Sequence, residues 1–253
     1  FIRSFDHGLT WTEYAPVDAG FTGYPCAVVV SGETNYVLFD NNDGPHVLYV
    51  STDDGQTWEK RSTLTLDDDK WYGAMCIMAD GRLLASHTEH YPTAFGHGGT
   101  AEQDPEDWWR GTCESSREVL NRHPEAASSV VGLSVSTQGG CTLLLDEDNR
   151  PLHEAISWLD TRTKDICQEW ASEYGHEHFY QHAGWTLKAC LSLTQLEWLR
   201  RNRPDVFARA KVMVGTLDYV MMKLTVRIAT DPTNAAISQL CRLERLEWSD
   251  EML

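Results

Sequence analysis

The chain has 253 residues, 42% apolar and 23% charged, enough for one large domain or two small ones with a real core. Its formal charge of −17 at pH 7 excludes nucleic acid and anionic membrane as expected partners, because both present negative phosphate. A solvated acidic surface accounts for this charge without reference to any substrate.

Seven cysteines, at 26, 76, 113, 141, 167, 190 and 241, are scattered, odd in number and free of C-x-x-C pairs. That usage fits reduced thiols in a cytoplasmic setting rather than a disulfide framework. No apolar run reaches the length of a membrane span. The first residues, F-I-R-S-F-D, enter directly into a motif, so no signal peptide is visible and a fragment is expected.

In chain order, Ser4-Phe5-Asp6-His7-Gly8-Leu9-Thr10-Trp11 comes first and recurs 47 residues later as Ser51-Thr52-Asp53-Asp54-Gly55-Gln56-Thr57-Trp58. Between and after the copies, Cys26–Val30, Tyr36–Phe39, His46–Val50, Ala74–Met78 and Leu83–Ser86 are short β-branched or aromatic runs. Turns at 32–35, 41–44 and 79–82 separate them, which predicts β structure throughout residues 1–98. In S-x-D-x-G-x-T-W the Asp caps turn amides, the Gly takes a backbone shape closed to other residues, and the Trp buries. This motif resembles the Asp-box repeat of sialidase-type β-propellers, and its spacing suits one four-stranded blade. A phosphate-binding hairpin of actin-like kinases is a rival, but it places Thr directly after Gly and does not explain the duplication.

Asp boxes are structural. Arg3, Arg61 and Arg82 are the only arginines here, and two blades fall short of a closed propeller, so sialidase activity is not expected. His87, His90 and His97 lie in a Gly-rich loop with no completing Cys or carboxylate pattern, so no metal site is expected.

From Ala101 onward the pattern changes. Asp104-Pro105 starts a predicted helix running to about Asn121, with Asp as cap and Pro in the first turn. Strands are predicted at Ser128–Ser136, Thr142–Leu145, Ala155–Trp158 and Lys211–Val214. Helices are predicted at Thr161–Tyr174, Leu193–Asn202 and Leu217–Leu224. Strands alternating with helices indicate a layered α/β domain.

Five motifs stand on these elements: Q-D-P-E-D-W-W; Ser136-Thr137-Gln138-Gly139-Gly140; Ile156-Ser157-Trp158-Leu159-Asp160-Thr161-Arg162; Leu217-Asp218-Tyr219; and Ala229-Thr230-Asp231-Pro232-Thr233-Asn234-Ala235. Read without relatives, T-D-P-T-N is an Asx turn or helix cap, Trp158 a strand-end core aromatic, and Gln138 a turn cap. Asp160 either orients hydroxyls or holds Arg162 in an ion pair. In this order the motifs resemble the N-terminal domain of FGGY-family sugar kinases.

The resemblance implies a ribonuclease-H-like, actin/hexokinase-type half domain at 99–253. The expected fold class is then α/β joined to an all-β partial propeller segment at 1–98. It also implies ATP-dependent phosphoryl transfer to a sugar or polyol, with Gln138, Gly139, Gly140, Trp158 and Asp160 on the acceptor and Asp231 as catalytic base. ATP and Mg2+ are implied, with their binding elements outside this chain, so no sugar phosphorylation by the chain alone is expected.

The pattern departs from the family at several positions. Gly139 and Gly140 replace two side chains that contact the sugar, Gln195 replaces a Lys, and Thr225-Val226-Arg227 stands where the family has T-G-E. His176, His178 and His182 have no family counterpart and are expected at the surface. A sialidase-like glycan-binding module and a non-enzymatic fusion remnant are the alternatives.

Overall fold

The computed structural model describes residues 2–3, 12–13, 23–31, 34–41, 46–53, 56–64, 74–77, 83–130 and 133–252. The first Asp-box copy and Gly55 of the second lie outside them, and the turns expected at 32–35, 41–44 and 79–82 lie wholly or partly outside. Two compact units form. One comprises Phe1–Glu89 and Glu114–Ser136, the other His90–Cys113 and Thr137–Leu253.

The first unit is built on strands β1 (Ile2–Arg3), β2 (Thr12–Glu13), β3 (Gly23–Ser31), β4 (Thr34–Asn41), β5 (His46–Ser51), β6 (Glu59–Leu64), β7 (Ala74–Ile77) and β8 (Leu83–His87). Strands β3-β4-β5-β6 make one antiparallel meander, β1 pairs β2, and β7 pairs β8. Val47, Leu48 and Tyr49 are consecutive and all buried, so both faces of β5 are covered. The unit also holds the second half of helix α1 (Pro105–Arg122) and the short α2 (Pro124–Ala127).

The strand expected at Ser128–Ser136 does not form among the described residues there. Pro124 opens α2, the Ser129 amide closes a turn onto Ala126, and Val130 and Leu133 stay exposed. An apolar run with no neighbouring strand has nowhere to send its backbone hydrogen bonds, and β-propensity alone does not hold it.

The second unit starts with β9 (Ala94–Phe95), β10 (Ala101–Gln103) and the first half of α1, then β11 (Leu143–Leu145) and β12 (Ala155–Ile156). Helices α3 (Lys164–Glu173), α4 (His176–Ala183), α5 (Ser192–Asn202) and α6 (Pro204–Arg209) follow. After them come β13 (Val212–Val214), α7 (Thr216–Thr225), α8 (Pro232–Ile237), β14 (Cys241–Arg242) and β15 (Glu247–Trp248). The ladders β12-β10-β9 and β11-β13 are short and antiparallel. Helix α5 joins two cores. Leu199 packs with Leu144, Ile156 and Val206, while Leu193 packs with Phe179, Leu187 and Leu240.

Two helices start by the same device. Asp104 accepts the Glu106 amide at 2.8 Å ahead of Pro105, and Asp231 accepts the Thr233 and Asn234 amides ahead of Pro232. A carboxylate is a good cap, and proline's missing N–H costs nothing in the first turn.

Helix α7 ends less comfortably. Val226, at the position where the family pattern has Gly, sits left-handed at φ 61° and is 91% exposed. A β-branched residue in that region costs about 1–2 kcal/mol, and so exposed a side chain recovers little by packing. Val226→Gly is expected to stabilise the protein by about 0.5–1 kcal/mol, after the larger entropy loss of Gly on folding. Chemical denaturation checks this, and an unchanged or lower midpoint would refute the strain.

Candidate functional site

Strand β10 delivers Gln103 into the interior, 5% exposed and in register with Ala155 of β12. Its Oε1 accepts from Trp108 Nε1 at 3.0 Å and from Gln138 Nε2 at 2.6 Å, while its Nε2 donates to Thr93 Oγ1 at 2.8 Å. Trp108, buried one turn into α1, meets Tyr219 of α7 edge-on at 6.0 Å. Tyr219 in turn donates to Glu106, which also takes Lys223 Nζ at 2.6 Å. Burial and the Glu106 carboxylate push the Tyr219 phenol up.

Gln138 leads into Gly139 and Gly140, and the loop is tight on both sides. A β-carbon at Gly139 would come within 3.0 Å of Ile237 Cδ1 and 3.9 Å of Asn234 Oδ1 on α8. One at Gly140 would come within 3.2 Å of the Cys190 carbonyl oxygen and 3.3 Å of Trp158 Cβ. Gly140 also has φ +73°, a conformation that side chains at this position would strain. The following Cys141 thiol is pushed up to about 11 by burial, which leaves it a poor nucleophile at neutral pH.

Trp158 stands just past β12 with 45% of its surface exposed. Asp160, two residues on, is fully buried. Its Oδ2 accepts the Ala101 amide at 2.6 Å, and both oxygens are held by Arg162 at 2.7–3.0 Å. Arg162 reaches Glu102 at 2.7 Å and lies 4.6 Å over the Trp198 ring. Burial works against the charged guanidinium, but the bonds to Asp160 and Glu102 prevail and raise its pKa. The geometry of Asp160 is that of the ion pair with Arg162, with no oxygen facing solvent.

Asp231 caps α8. Its Oδ1 takes the Thr233 and Asn234 amides at 2.7 and 3.1 Å, and its Oδ2 takes Asn234 Nδ2 at 2.6 Å. The Asn234 side chain thus stands between Asp231 and the Gly139 backbone. Gln138, Gly139, Gly140, Trp158 and Asp231 therefore gather around one loop, while Asp160 is held by Ala101 and Arg162. On α7, Asp218 is 8% exposed, and its Oδ2 accepts the Gly215 amide. Burial raises its pKa, with the Asp231 charge adding to the effect.

Gln103 and Asn234 fell inside two of the quoted motifs but were given no role of their own, and Ile237 was not singled out. The adjacency of Gln103 to the Asp-Pro helix start was the one available signal.

Other titratable side chains pair among themselves. His178 and His182 face Glu251 at 3.6 and 3.8 Å, and His87 meets Glu89 at 2.8 Å. Among the described residues, no group of three or more His, Cys, Asp or Glu side chains could hold a metal ion. A cavity of about 270 Å³ lined by Asp146, Glu147, Asp148, Arg209 and Lys211 borders the turn after β11. Among the described residues, no helix is long and apolar enough to cross a membrane.

Comparison with known proteins places these features. Residues 70–253 match the FGGY family of carbohydrate kinases, N-terminal domain. Residues 70–98, including the β7-β8 hairpin, thus fall inside the match, and residues 1–69 fall outside it. The xylulose kinase of Bacillus subtilis is 30% identical over 176 residues, covering 70% of this chain and 35% of that protein. The glycerol kinase of Thermus brockianus is 34% identical over 192 residues, covering 71% and 38%. A crystal structure titled as a xyloylose kinase from Brucella ovis superposes with a TM-score of 0.68 at 25% identity, over 72% of this chain and 37% of that one. The chain spans well under half the length of these relatives. With its α/β second unit and a family match across most of its length, the chain belongs to the FGGY family of carbohydrate kinases, in the part that forms the N-terminal domain.

Proposed function

We propose that the protein serves ATP-dependent phosphoryl transfer to a hydroxyl of a sugar or polyol, and that residues 99–253 supply its acceptor side. The observation that carries this reading is the convergence of the Gln138–Gly140 loop, the half-exposed Trp158 and the Asp231-capped helix α8. Phosphoryl transfer asks the protein mainly to position the acceptor and to manage charge. An exposed indole offers a flat apolar face to the C–H side of a sugar ring. With no side chains at 139 and 140, hydroxyl recognition at this loop falls to backbone groups and to Gln138.

Asp231 enters with two roles. As cap it orients α8 against Gly139. Three donors occupy its carboxylate, and of roughly four lone-pair sites one remains for the proton of an attacking hydroxyl. Asp160 is assigned to positioning, through Arg162 and Ala101. ATP and a divalent metal are what kinases of this family use. No described cluster fits the metal, so no step is routed through it.

Calorimetric titration of the protein with ketopentoses, ketohexoses and glycerol-type polyols tests the reading. Saturable binding to at least one acceptor is expected, weakened about tenfold in Trp158→Ala, as loss of a stacking contact of about 1.4 kcal/mol would do. A flat response across the panel would refute it. In a protein that also carries the nucleotide-binding elements, phosphorylation with ATP and Mg2+ that persists in Asp231→Asn would remove Asp231 as the base, since Asn keeps the cap but cannot take the proton.

A second reading concerns residues 1–64. The β3-β4-β5-β6 meander has four antiparallel strands, the number a propeller blade would need, and the second Asp-box lies between its third and fourth strands. There Asp53 accepts Ser51 Oγ and the Thr57 amide at 2.8 Å each, and the Thr57 hydroxyl besides. The Thr57 hydroxyl and amide, then Ser51, hold the Asp53 carboxyl at about 2. We read this segment as an Asp-box blade of a glycan-binding module. A sialoside titration with no saturable response would reduce it to a structural segment.

A further inference from the structure

We propose that Gln103 is a positioning residue that sets the place and orientation of the acceptor loop through Gln138. The hydrogen-bonding inventory carries the argument. An indole nitrogen can only donate, so the Gln103 atom facing Trp108 must be its carbonyl oxygen. That oxygen also meets Gln138, which must therefore present its NH2 group. The Gln103 NH2 is left pointing at Thr93 Oγ1, which accepts it. One buried tryptophan thus decides which way two successive amides point, and the second belongs to the loop.

The backbone around Gln103 is well anchored. Its neighbour Glu102 pairs with Ile156 and Ala94, Gln103 itself pairs with Ala155, and the Ala101 amide is tied to Asp160. Gly139 and Gly140 contribute no side chains to hold the loop, so the 2.6 Å bond from Gln138 to a buried oxygen is a main constraint on it.

The inference concerns the loop itself. Its consequence for ligand binding rests on the acceptor-site reading above, and the experiment separates the two. Hydrogen exchange of the whole protein is measured for wild type, Gln103→Met, Gln103→Glu and Gln138→Met, alongside acceptor titration. Gln103→Met is expected to speed exchange about tenfold at residues 138–140 while β11 and α5 exchange as before, the tenfold corresponding to about 1.4 kcal/mol. Gln138→Met, which spares the Gln103–Trp108 bond, should show the same local change. Gln103→Glu can still accept from both Trp108 and Gln138, and should stay within about threefold of wild type.

Exchange at 138–140 unchanged in Gln103→Met, or raised equally everywhere, overturns the proposal, as does a Gln103→Glu no better than Gln103→Met. If wild type binds no acceptor, the function reading falls and the exchange data still decide the loop. If wild type binds and Gln103→Met binds about tenfold more weakly with Gln103→Glu rescuing, both stand. Acceptor affinity unchanged in a Gln103→Met with a loosened loop counts against the function reading alone.

Discussion

Asp160→Ala is expected to destabilise the second unit by about 3–5 kcal/mol, read as a lower denaturant midpoint by tryptophan fluorescence. Asp160 is fully buried, and the side chain of its partner Arg162 is 7% exposed. Removing the carboxylate leaves a guanidinium in a site from which water is largely excluded, and it leaves the Ala101 amide without an acceptor. The bond to Glu102 and the Trp198 ring remain, which holds the loss toward the lower end of that range. Asp160→Asn keeps an oxygen for Ala101 and should cost less. The effect should reach the loop, because Ala101 begins the strand that carries Gln103. A loss below about 1 kcal/mol would mean that solvent reaches the pair, and would remove Asp160 from its positioning role.

How legible this architecture was in sequence depended on how local each cause is. The Asp-Pro helix start at 104–105 was readable because cap and helix are adjacent, and it forms as expected; at 231–232, where an Asx turn and a helix cap were both open, the cap forms. Helix α4 was not anticipated. His176-Glu177-His178-Phe179-Tyr180-Gln181-His182-Ala183 looks polar, yet Phe179 and Ala183, four apart, bury one face, and Gly184 closes the helix at φ 72°. The Ser128–Ser136 run erred the other way: strong β-propensity without a partner strand. At the site, two roles for Asp160 stood side by side in the sequence. The Arg162 contacts, full burial and the Ala101 amide, 59 residues away in the chain, together distinguish them. Gln103 stayed hidden for the same reason. Its role lies in the direction of an amide fixed by Trp108 and passed to Gln138, and no spacing rule encodes that.

Leu199→Ala should cost about 3.5–5 kcal/mol by the same measurement. The side chain is 2% exposed and meets Leu144 of β11, Ile156 of β12 and Val206 of α6, with Leu196, Trp198 and Met213 around it. Truncating a buried leucine loses the transfer energy of its methyls plus a term for the cavity, and the total depends on how far the surroundings relax. Relaxation is restricted here. The Arg203 amide bonds back to the Leu199 carbonyl at 2.8 Å, Gln195 holds the Ser157 carbonyl, and β11 is clamped to β13 over three residue pairs. Two strands and two helices would each have to shift to close the void, so the upper half of the usual range of about 2–5 kcal/mol applies. Leu199→Met, which keeps most of the volume, should lose less than about 1.5 kcal/mol. Because Ile156 lies two residues before Trp158, a loosened β12 should also weaken any acceptor binding. A Leu199→Ala protein within about 1 kcal/mol of wild type would show that α5 is not the element on which the strand ends of this site rest.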